Sequence, residues 1–314
     1  MIQINQTKNI YYLLAVIFSF YLHSCMQSNA SERKSIATED NKISQKRNAS
    51  EQSKKYWFDG TAEITSYTLS QARYGELHEG TATLIFVTEP FSKISNTKAD
   101  RQRQDNIPVL KLNMNKKFTT GIYPYSMMNS TFFPFENENT SLKIASSIQE
   151  WCGMTYVEMK NENDLLINFN SYFEGASFKN KKIKSTILED DLWSLLRLNP
   201  ELLPEGEQNI IPSFFYLNST HKEFKAYTAT ISIEKLENQN IYTIHYPKLQ
   251  RTLSIQFSKD FPFTISGWKD SYNSGYGANK KVLTTEAKIN KRIKVDYWNK
   301  NSNKDKEWRN KLGL

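Results

Sequence analysis

Hydrophobic and polar residues alternate along most of the chain from Tyr56 onward, a pattern typical of strands with one buried face. Short polar connections, such as "ENQN" and "PKLQ", predict antiparallel meanders between neighbouring strands. The sequence shows no period of the kind that solenoids and propellers require. The predicted strands lie at 61–69, 80–89, 141–151, 154–159, 164–173, 222–234, 240–246, 251–257 and 262–268.

One segment, 186–206 ("TILEDDLWSLLRLNPELLPEG"), breaks the alternation and predicts a helix. Acidic residues at 189–191 favour its amino-terminal end, and Asn199-Pro200 supplies a stop. Leucines recur on one face at helical spacing, at Leu188, Leu192, Leu195 and Leu196. The predicted fold is α+β and mostly β. We expect a large curved antiparallel sheet, resembling a half-barrel or a lipoprotein carrier, with one amphipathic helix packed against its concave face or closing its end.

The amino end carries a twelve-residue apolar stretch, 10–21, preceded by Lys8. It is too short for a comfortable membrane span and has the length of a signal-peptide core. The following residues, Leu22-His23-Ser24-Cys25, resemble the lipobox of bacterial lipoproteins, although His23 departs from the usual small or aliphatic residue. In that family the cysteine is acylated with fatty chains such as palmitate, and the chain is cut before it. The resemblance implies a signal peptide at 1–24 and a lipid on Cys25; the alternative is an ordinary secretory peptide with an accidental cysteine.

Composition divides the rest of the chain. Residues 25–55 are rich in Ser, Asn, Lys, Glu and Gln, which predicts a disordered tether after the lipidated cysteine. A single β-rich domain is expected over 56–279, followed by a basic tail over 280–314. The net charge of +8 is concentrated at the ends, since Lys8 carries +1, 26–55 carries +3 and 280–314 carries +7, whereas the body carries −3. A nucleic-acid partner is therefore not expected; the basic ends either contact anionic lipid or are merely solvated.

The densest aromatic run is "GIYPYSMMNSTFFPF" at 121–135. It holds more large apolar side chains than one strand face can bury, so it is the candidate surface for a ligand or partner, with core packing as the alternative. The candidate residues are Tyr123, Tyr125, Met127, Met128, Phe132 and Phe133.

Residues that could support catalysis are few, and no catalytic residue is assigned. Cys152 in "QEWCGM" is predicted to be a buried small hydrophobe, with a nucleophile as the alternative. Glu76 and Glu79 in "SQARYGELHEG", together with Glu150, are carboxylates available for acid–base work. The histidines after the predicted cleavage site, at 78, 221 and 245, do not have metal-ligand spacing, and no phosphate-binding glycine loop occurs. Neither a metal nor a cofactor is predicted.

Four stretches together resemble a family of uncharacterised bacterial lipoproteins: "GTAEITSYTLSQARYGELHEGTATLIFVTEPFS", "GIYPYSMMNSTFFP", "SIQEWCGMTY" and "IYTIHYPKLQRTLSIQF". The likeness spans most of the chain from Trp57 to Trp268. Members are sometimes labelled septum formation inhibitor Maf. Maf proteins are cytoplasmic nucleotide pyrophosphatases with an amino-terminal S-x-S-P-R-R-type motif. That motif is absent here, so no catalytic residue is carried over.

These observations predict a non-enzymatic, lipid-anchored bacterial envelope protein that binds an apolar ligand or an envelope protein. The alternative is a periplasmic hydrolase that uses carboxylates such as Glu76, Glu79 or Glu150. Met26 is not the aspartate that favours inner-membrane retention in enteric lipoproteins, so the outer membrane is the expected location.

Overall fold

The computed structural model describes residues 47–314, and these residues form one large sheet with four helices. The helices are α1 Glu51–Trp57, α2 Glu189–Leu198, α3 Phe214–Ser219 and α4 Glu307–Lys311. The strands are β1 Ala62–Arg73, β2 Glu76–Ser92, β3 Thr97–Lys98, β4 Asn106–Thr120, β5 Tyr123–Pro134, β6 Lys143–Glu150, β7 Gly153–Glu162, β8 Asp164–Ser171, β9 Phe178–Ile183, β10 Ile187–Leu188, β11 Gly206–Ile211, β12 Tyr227–Lys235, β13 Gln239–Tyr246, β14 Arg251–Ser258, β15 Ile265–Ser274 and β16 Lys281–Val295.

The sheet runs in the order β10-β11-β12-β13-β14-β15-β16-β1-β2-β4-β5-β6-β7-β8-β9, with the short β3 beside β2. Neighbouring strands are antiparallel apart from β10 and β11, which are parallel. The two ends of this order, β10 and β9, are not paired with each other, so the sheet stays open. The predicted class, a mostly β α+β fold with a large antiparallel sheet, is confirmed.

The carboxyl-terminal part of the chain lies in the middle of this sheet. β16 pairs with β1 on one side and β15 on the other, and Ala287 is buried opposite Leu69 and Trp268. The prediction of a separate basic tail over 280–314 is therefore wrong. Exposed lysines such as Lys288 and Lys291 give the segment its basic composition. Few of the positions between them are buried, so the segment lacks the alternation that predicts a strand.

The end of the predicted tether is also part of the domain. Arg47 is buried, and its guanidinium donates a hydrogen bond to the carbonyl of Pro134. α1 begins after Ser50, whose hydroxyl accepts the backbone N–H of Ser53 as a helix cap. The predicted disordered tether is therefore wrong over 47–55, because these residues make specific contacts with the sheet. Residues 25–46, the signal peptide and Cys25 lie outside the described residues.

Helix α2 is buried against the sheet in the main core. The predicted helix is confirmed, and it ends at Leu198, before the predicted Asn199-Pro200 stop. All ten residues of α2 are buried, the charged ones included. Leu192, Leu195 and Leu196 belong to the main core cluster, in which they join inward side chains of both halves of the sheet. The helix is therefore enclosed, rather than exposing the polar face that an amphipathic surface helix presents.

Ion pairs accommodate the charged face of α2. Near its amino end, Glu189 accepts two hydrogen bonds from Arg251, at 2.6 and 2.8 Å, and Arg251 also bonds Asp270 at 2.8 and 3.0 Å. Near its carboxyl end, Arg197 forms a two-point pair with Glu63 at 2.6 and 2.9 Å. Buried charges need such partners, because an unpaired charge in the core is strongly destabilising.

Two further acidic residues of α2 bind backbone N–H groups. Asp190 accepts from Phe214, the first residue of α3, and Asp191 accepts from Ser141, both at 3.0 Å. Burial raises the pKa of Asp190 to about 6 and that of Asp191 to about 7, although the backbone hydrogen bonds oppose the shift. Both carboxyls therefore favour the protonated state in the folded chain more than in the unfolded one.

We expect the free energy of unfolding to fall by about 2–3 kcal/mol between pH 5 and pH 7 through Asp191 alone. In this window the unfolded carboxyl is already ionised, whereas the folded one still binds its proton, so stability declines as pH rises. Asp191→Asn keeps an acceptor for the Ser141 N–H and removes this dependence. Urea unfolding at several pH values measures the effect.

The matched control is Asp164→Asn, which changes an exposed aspartate at the start of β8. It is expected to leave the pH dependence of stability as in the unaltered chain. Equal pH profiles for Asp191→Asn and the unaltered chain would contradict the assignment.

Candidate functional site

Antiparallel pairing places alternate connections at one end of the sheet, here called the distal end. It comprises the turns and loops at 73–76, 120–123, 150–153, 171–178, 211–227, 246–251 and 274–281. The opposite end, where β1 begins and β16 finishes, is called the entry end. The distal end contains the candidate site, a cleft with two adjoining halves that share Arg73, Tyr74, Ser219 and Tyr276.

The first half of the cleft is cationic and has a volume of about 310 Å³. No carboxylate is present among the described residues that line it. Tyrosine rings and backbone of the 274–277 turn complete the wall. Such a lining favours an anionic group, since nothing in the wall offsets the positive charge. The cations are Arg73, Lys222, Lys248 and Lys280.

The second half is mostly apolar and has a volume of about 320 Å³. Tyr125, Ile148 and Phe173 supply its apolar wall, and Glu150 and His221 supply polar groups. Partial burial and the nearby Arg73 cation lower the pKa of His221 below its ordinary value. His221 is therefore uncharged near neutral pH, and this half carries much less positive charge than the first.

Arg73 stands at the junction of the two halves. Its Nη1 donates to the Ser219 carbonyl at 2.6 Å, and its Nη2 lies 3.3 Å from the hydroxyls of Tyr74 and Tyr125. The guanidinium carbon also lies 4.4 Å from the Tyr74 ring centre, within cation–π range. The Nε atom is buried without a hydrogen-bond partner. Arg73 is thus oriented by the protein, and its Nε–H donor is unused.

The local sequence explains how Arg73 reaches this position. Arg73 ends β1, and β2 begins at Glu76, so Tyr74 and Gly75 form a two-residue turn with φ values of 53° and 81°. Two positive φ values are the requirement of a type I′ hairpin, which glycine meets readily. Gly75 also lies against Asn279, whose carbonyl oxygen would be 2.4 Å from a Cβ at this position. This close approach joins the 73–76 turn to the 274–281 loop.

A smaller space of about 30 Å³ adjoins the Arg251 cluster. This volume suits about one water molecule. Lys116 of β4 lines it, is 8% exposed and lies within 6 Å of the ring centres of Phe215 and Trp268. Burial lowers the pKa of Lys116, although Asp270 opposes the shift. The space has no room for an apolar ligand of the kind a carrier would enclose.

The six candidate residues of 121–135 do not share one surface. All lie on β5, where alternate side chains point to opposite faces of the sheet. Tyr125, Met127 and Phe133 are buried in the core, and Tyr125 also lines the cleft. Met128 is exposed on the other face, and Phe132 packs against Phe91 there. Tyr123 is partly exposed near the distal end.

The candidate carboxylates are not brought together. Glu76 and Glu79 are exposed on β2, and Glu150 ends β6. Since β4 and β5 lie between these strands, about 14 Å separates the two positions across the sheet. Glu150 accepts the backbone N–H of Cys152 at 2.6 Å. Within residues 47–314, no group of three or more His, Cys, Asp and Glu residues is arranged to hold a metal ion.

The prediction of a buried Cys152 is wrong. The residue is exposed and free, because Glu150 pairs with Gly153 and leaves Trp151 and Cys152 at the tip of the hairpin. A hydrogen bond with Glu150 raises the pKa of the Cys152 thiol. The thiol therefore stays protonated at neutral pH, which disfavours the nucleophile alternative.

Sequence reasoning missed the lysines of the cleft, Lys222, Lys248 and Lys280, and also Phe173 and Tyr276. Each follows or lies within a turn, but the turns are far apart in the chain, and only the strand order brings them together. The order of the connections along the chain could have indicated part of the site. The sequence predicts "PKLQ" as a hairpin connection, and every second connection of a meander lies at the same end of the sheet.

Comparisons with known proteins give no family assignment. No family model matches the chain, and no curated protein matches it. A solved structure described as a porin-like protein from Bacteroides uniformis aligns with 10% identity over 73% of this chain and 95% of its own, with a TM-score of 0.21. A score this low carries no argument about fold or function. Among residues 47–314, no helix has the length and apolar content needed to span a membrane.

We expect Gly75→Ala to destabilise the domain by about 2–4 kcal/mol, because the change adds a left-handed backbone penalty and a contact with Asn279. Gly121→Ala is the matched control. Gly121 also has a positive φ, 58°, but an added Cβ there meets nothing within 4 Å. Urea unfolding of both variants separates the contact from the backbone penalty. Equal losses of stability in the two variants would show that the 73–76 turn is not tightly packed against the 274–281 loop.

Proposed function

We propose that this chain is a lipid-anchored, non-enzymatic binding protein of the bacterial envelope, and that its distal cleft binds an anionic amphiphile. The observation that carries the proposal is the division of the cleft into a cationic half without carboxylates and a largely apolar half, with Arg73 between them. Convergent polar groups beside an apolar wall are typical of small-molecule sites.

The ligand class follows from the two halves. An anionic headgroup fits the half lined by Lys222, Lys248 and Lys280, where hydrogen bonds to charged donors are strong. An apolar body fits against Tyr125 and Phe173 in the other half. A purely apolar ligand would leave the lysines unused, and a small inorganic anion would leave the apolar wall exposed. This refines the expectation of an apolar ligand to a molecule with one charged end.

Binding is favoured over hydrolysis by the placement of the ionisable groups. Glu76 and Glu79 are exposed and separated from Glu150 by two intervening strands, so they do not flank a common bond. Of these three, Glu150 alone lines the cleft. Glu150 accepts the backbone N–H of Cys152, and among the described residues no second carboxylate lines either half of the cleft, so the paired carboxylates of a hydrolase are not assembled there.

The anchor is supported by the sequence alone. Lipidation at Cys25 would attach the chain to the membrane through its amino end, and the described domain begins at Arg47, which is held against Pro134 near the entry end. The cleft lies at the other end of the sheet. We propose the outer membrane as the location, on the ground that Met26 is not an aspartate.

We expect the mature protein to begin at an acylated Cys25, and Cys25→Ser to abolish acylation and cleavage at this site. Intact-mass spectrometry of the amino terminus measures both. An unacylated chain that still begins at Met1 would contradict the proposed anchor and leave the cleft proposal to its own test.

We expect replacement of Lys222, Lys248 and Lys280 by glutamine to weaken binding of dodecyl phosphate about tenfold or more, equivalent to at least about 1.4 kcal/mol. Removing three charges weakens attraction for the phosphate but leaves the apolar wall intact. Calorimetric titration below the micelle concentration measures the affinity, with dodecanol as the uncharged comparison.

The matched control replaces three exposed lysines of the entry end, Lys98, Lys235 and Lys259, by glutamine. It changes the net charge equally and is expected to keep the affinity of the unaltered chain. Equal loss in both variants would mean that overall charge, rather than the cleft, governs binding.

A further inference from the structure

A run of exposed apolar side chains projects from the distal end beside the cleft. Ile122 is 80% exposed, Trp151 69% and Tyr172 74%, and Met154 and Phe173 are also exposed. Met154 lies at the start of β7, and the other four stand on three connections, 120–123, 150–153 and 171–178, that belong to one side of the sheet, β4 to β9. These five residues, with Tyr123 and Cys152, are called the apolar ridge.

The ridge is continuous. The ring centres of Tyr123 and Trp151 are 6.5 Å apart, which joins the first connection to the second. The Tyr172 ring covers Gly153, where an added Cβ would lie 2.7 Å from the ring, and this joins the second connection to the third. Tyr172 and Phe173 then contact each other with ring centres 5.8 Å apart. The exposed rings therefore form one surface rather than scattered positions, which distinguishes them from ordinary surface apolar residues.

The seven residues of the ridge carry no charge. Two carboxylates lie on the same connections, Glu150 and Glu174, and Glu150 accepts the backbone N–H of Cys152. Across the cleft, the same end presents Lys222, Lys248 and Lys280. An uncharged aromatic edge beside a cationic patch complements an anionic bilayer: rings enter the headgroup region while lysines contact lipid phosphates.

We propose that the apolar ridge is a docking surface for an anionic lipid bilayer, into which Ile122, Trp151 and Tyr172 insert. The shape favours a bilayer over a protein partner. Ile122 and Trp151 stand on two-residue hairpin turns, Tyr172 stands on the six-residue loop between β8 and β9, and all three are largely exposed, a form that enters a deformable lipid surface. This inference does not need the cleft ligand, because none of the three inserting side chains lines the cleft.

Cys152 offers a direct probe, since it lies within the ridge and is exposed. In the full chain with Cys25→Ser, it is the one remaining cysteine. An environment-sensitive NBD dye attached there is mixed with vesicles of phosphatidylcholine and phosphatidylglycerol, and separately with vesicles of phosphatidylcholine alone. We expect the emission to rise several-fold and move to shorter wavelength with the anionic vesicles, and less so with the neutral ones.

The test variant replaces Ile122, Trp151 and Tyr172 by serine, and the matched control replaces Ile94, Trp298 and Tyr297. The control removes the same three residue types from exposed positions away from the ridge. We expect the dye response to be lost in the first and retained in the second. Residues 1–24 are present in both variants, so binding of that segment to the vesicles cannot cause a difference between their dye responses.

Binding of dodecyl phosphate is expected to survive the ridge substitutions, so failure of the ridge and failure of the cleft are distinguishable. Retained affinity also shows that the variant has folded. An unchanged dye signal with vesicles would overturn the proposal, as would an equal response in the ridge variant. Capture of one defined envelope protein by a photocrosslinker on Cys152 in cells, without a vesicle response, would assign the ridge to a protein interface instead.

Discussion

The enclosure of a charged helix by the sheet is the constraint on which the rest of the structure depends. α2 has no exposed residue, so each ionised side chain on it needs a partner. Arg251, which also pairs with Asp270, neutralises Glu189, and Glu63 neutralises Arg197. Loss of one member of such a pair costs about 3–5 kcal/mol, because the other charge stays buried. These pairs therefore fix the helix in one position against strands from both sides of the β16–β1 junction.

The distal cleft is built outward from this core. Asp190 binds the first N–H of α3 and so connects the start of α2 with the short helix that follows β11. α3 ends at Ser219, whose carbonyl accepts Arg73, and Lys222 follows within three residues. The two walls of the cleft are thus linked through α3 to the buried helix. A site formed by separate loops can in this way keep a defined geometry.

Pattern alone predicted strands whose two faces differ in burial, such as β13 and β14, and also the leucine positions of α2. It failed where exposure did not follow the expected alternation. β16 is exposed without interruption from Lys288 to Arg292, and α2 has a polar face that is buried by ion pairs and hydrogen bonds. Trp151 and Cys152 look like core residues, but they lie at a hairpin tip because Glu150 pairs with Gly153. The cleft was not predictable, since its residues meet only through strand order.

The exposed side chains of the apolar ridge do not contribute to the stability of the fold through burial in the core. Trp151 and Tyr172 remain largely in water after folding, so their hydrophobic free energy does not contribute to stability as that of Leu196 does. Trp151 stands on a two-residue turn, and Tyr172 is held against Gly153, so exposure is a fixed property of the surface. A rigid apolar edge loses little conformational entropy when it meets another surface. Strand pairing therefore holds apolar side chains exposed at the distal end, where they can contact another surface. In the interior, by contrast, the charged groups of α2 are already paired within the protein.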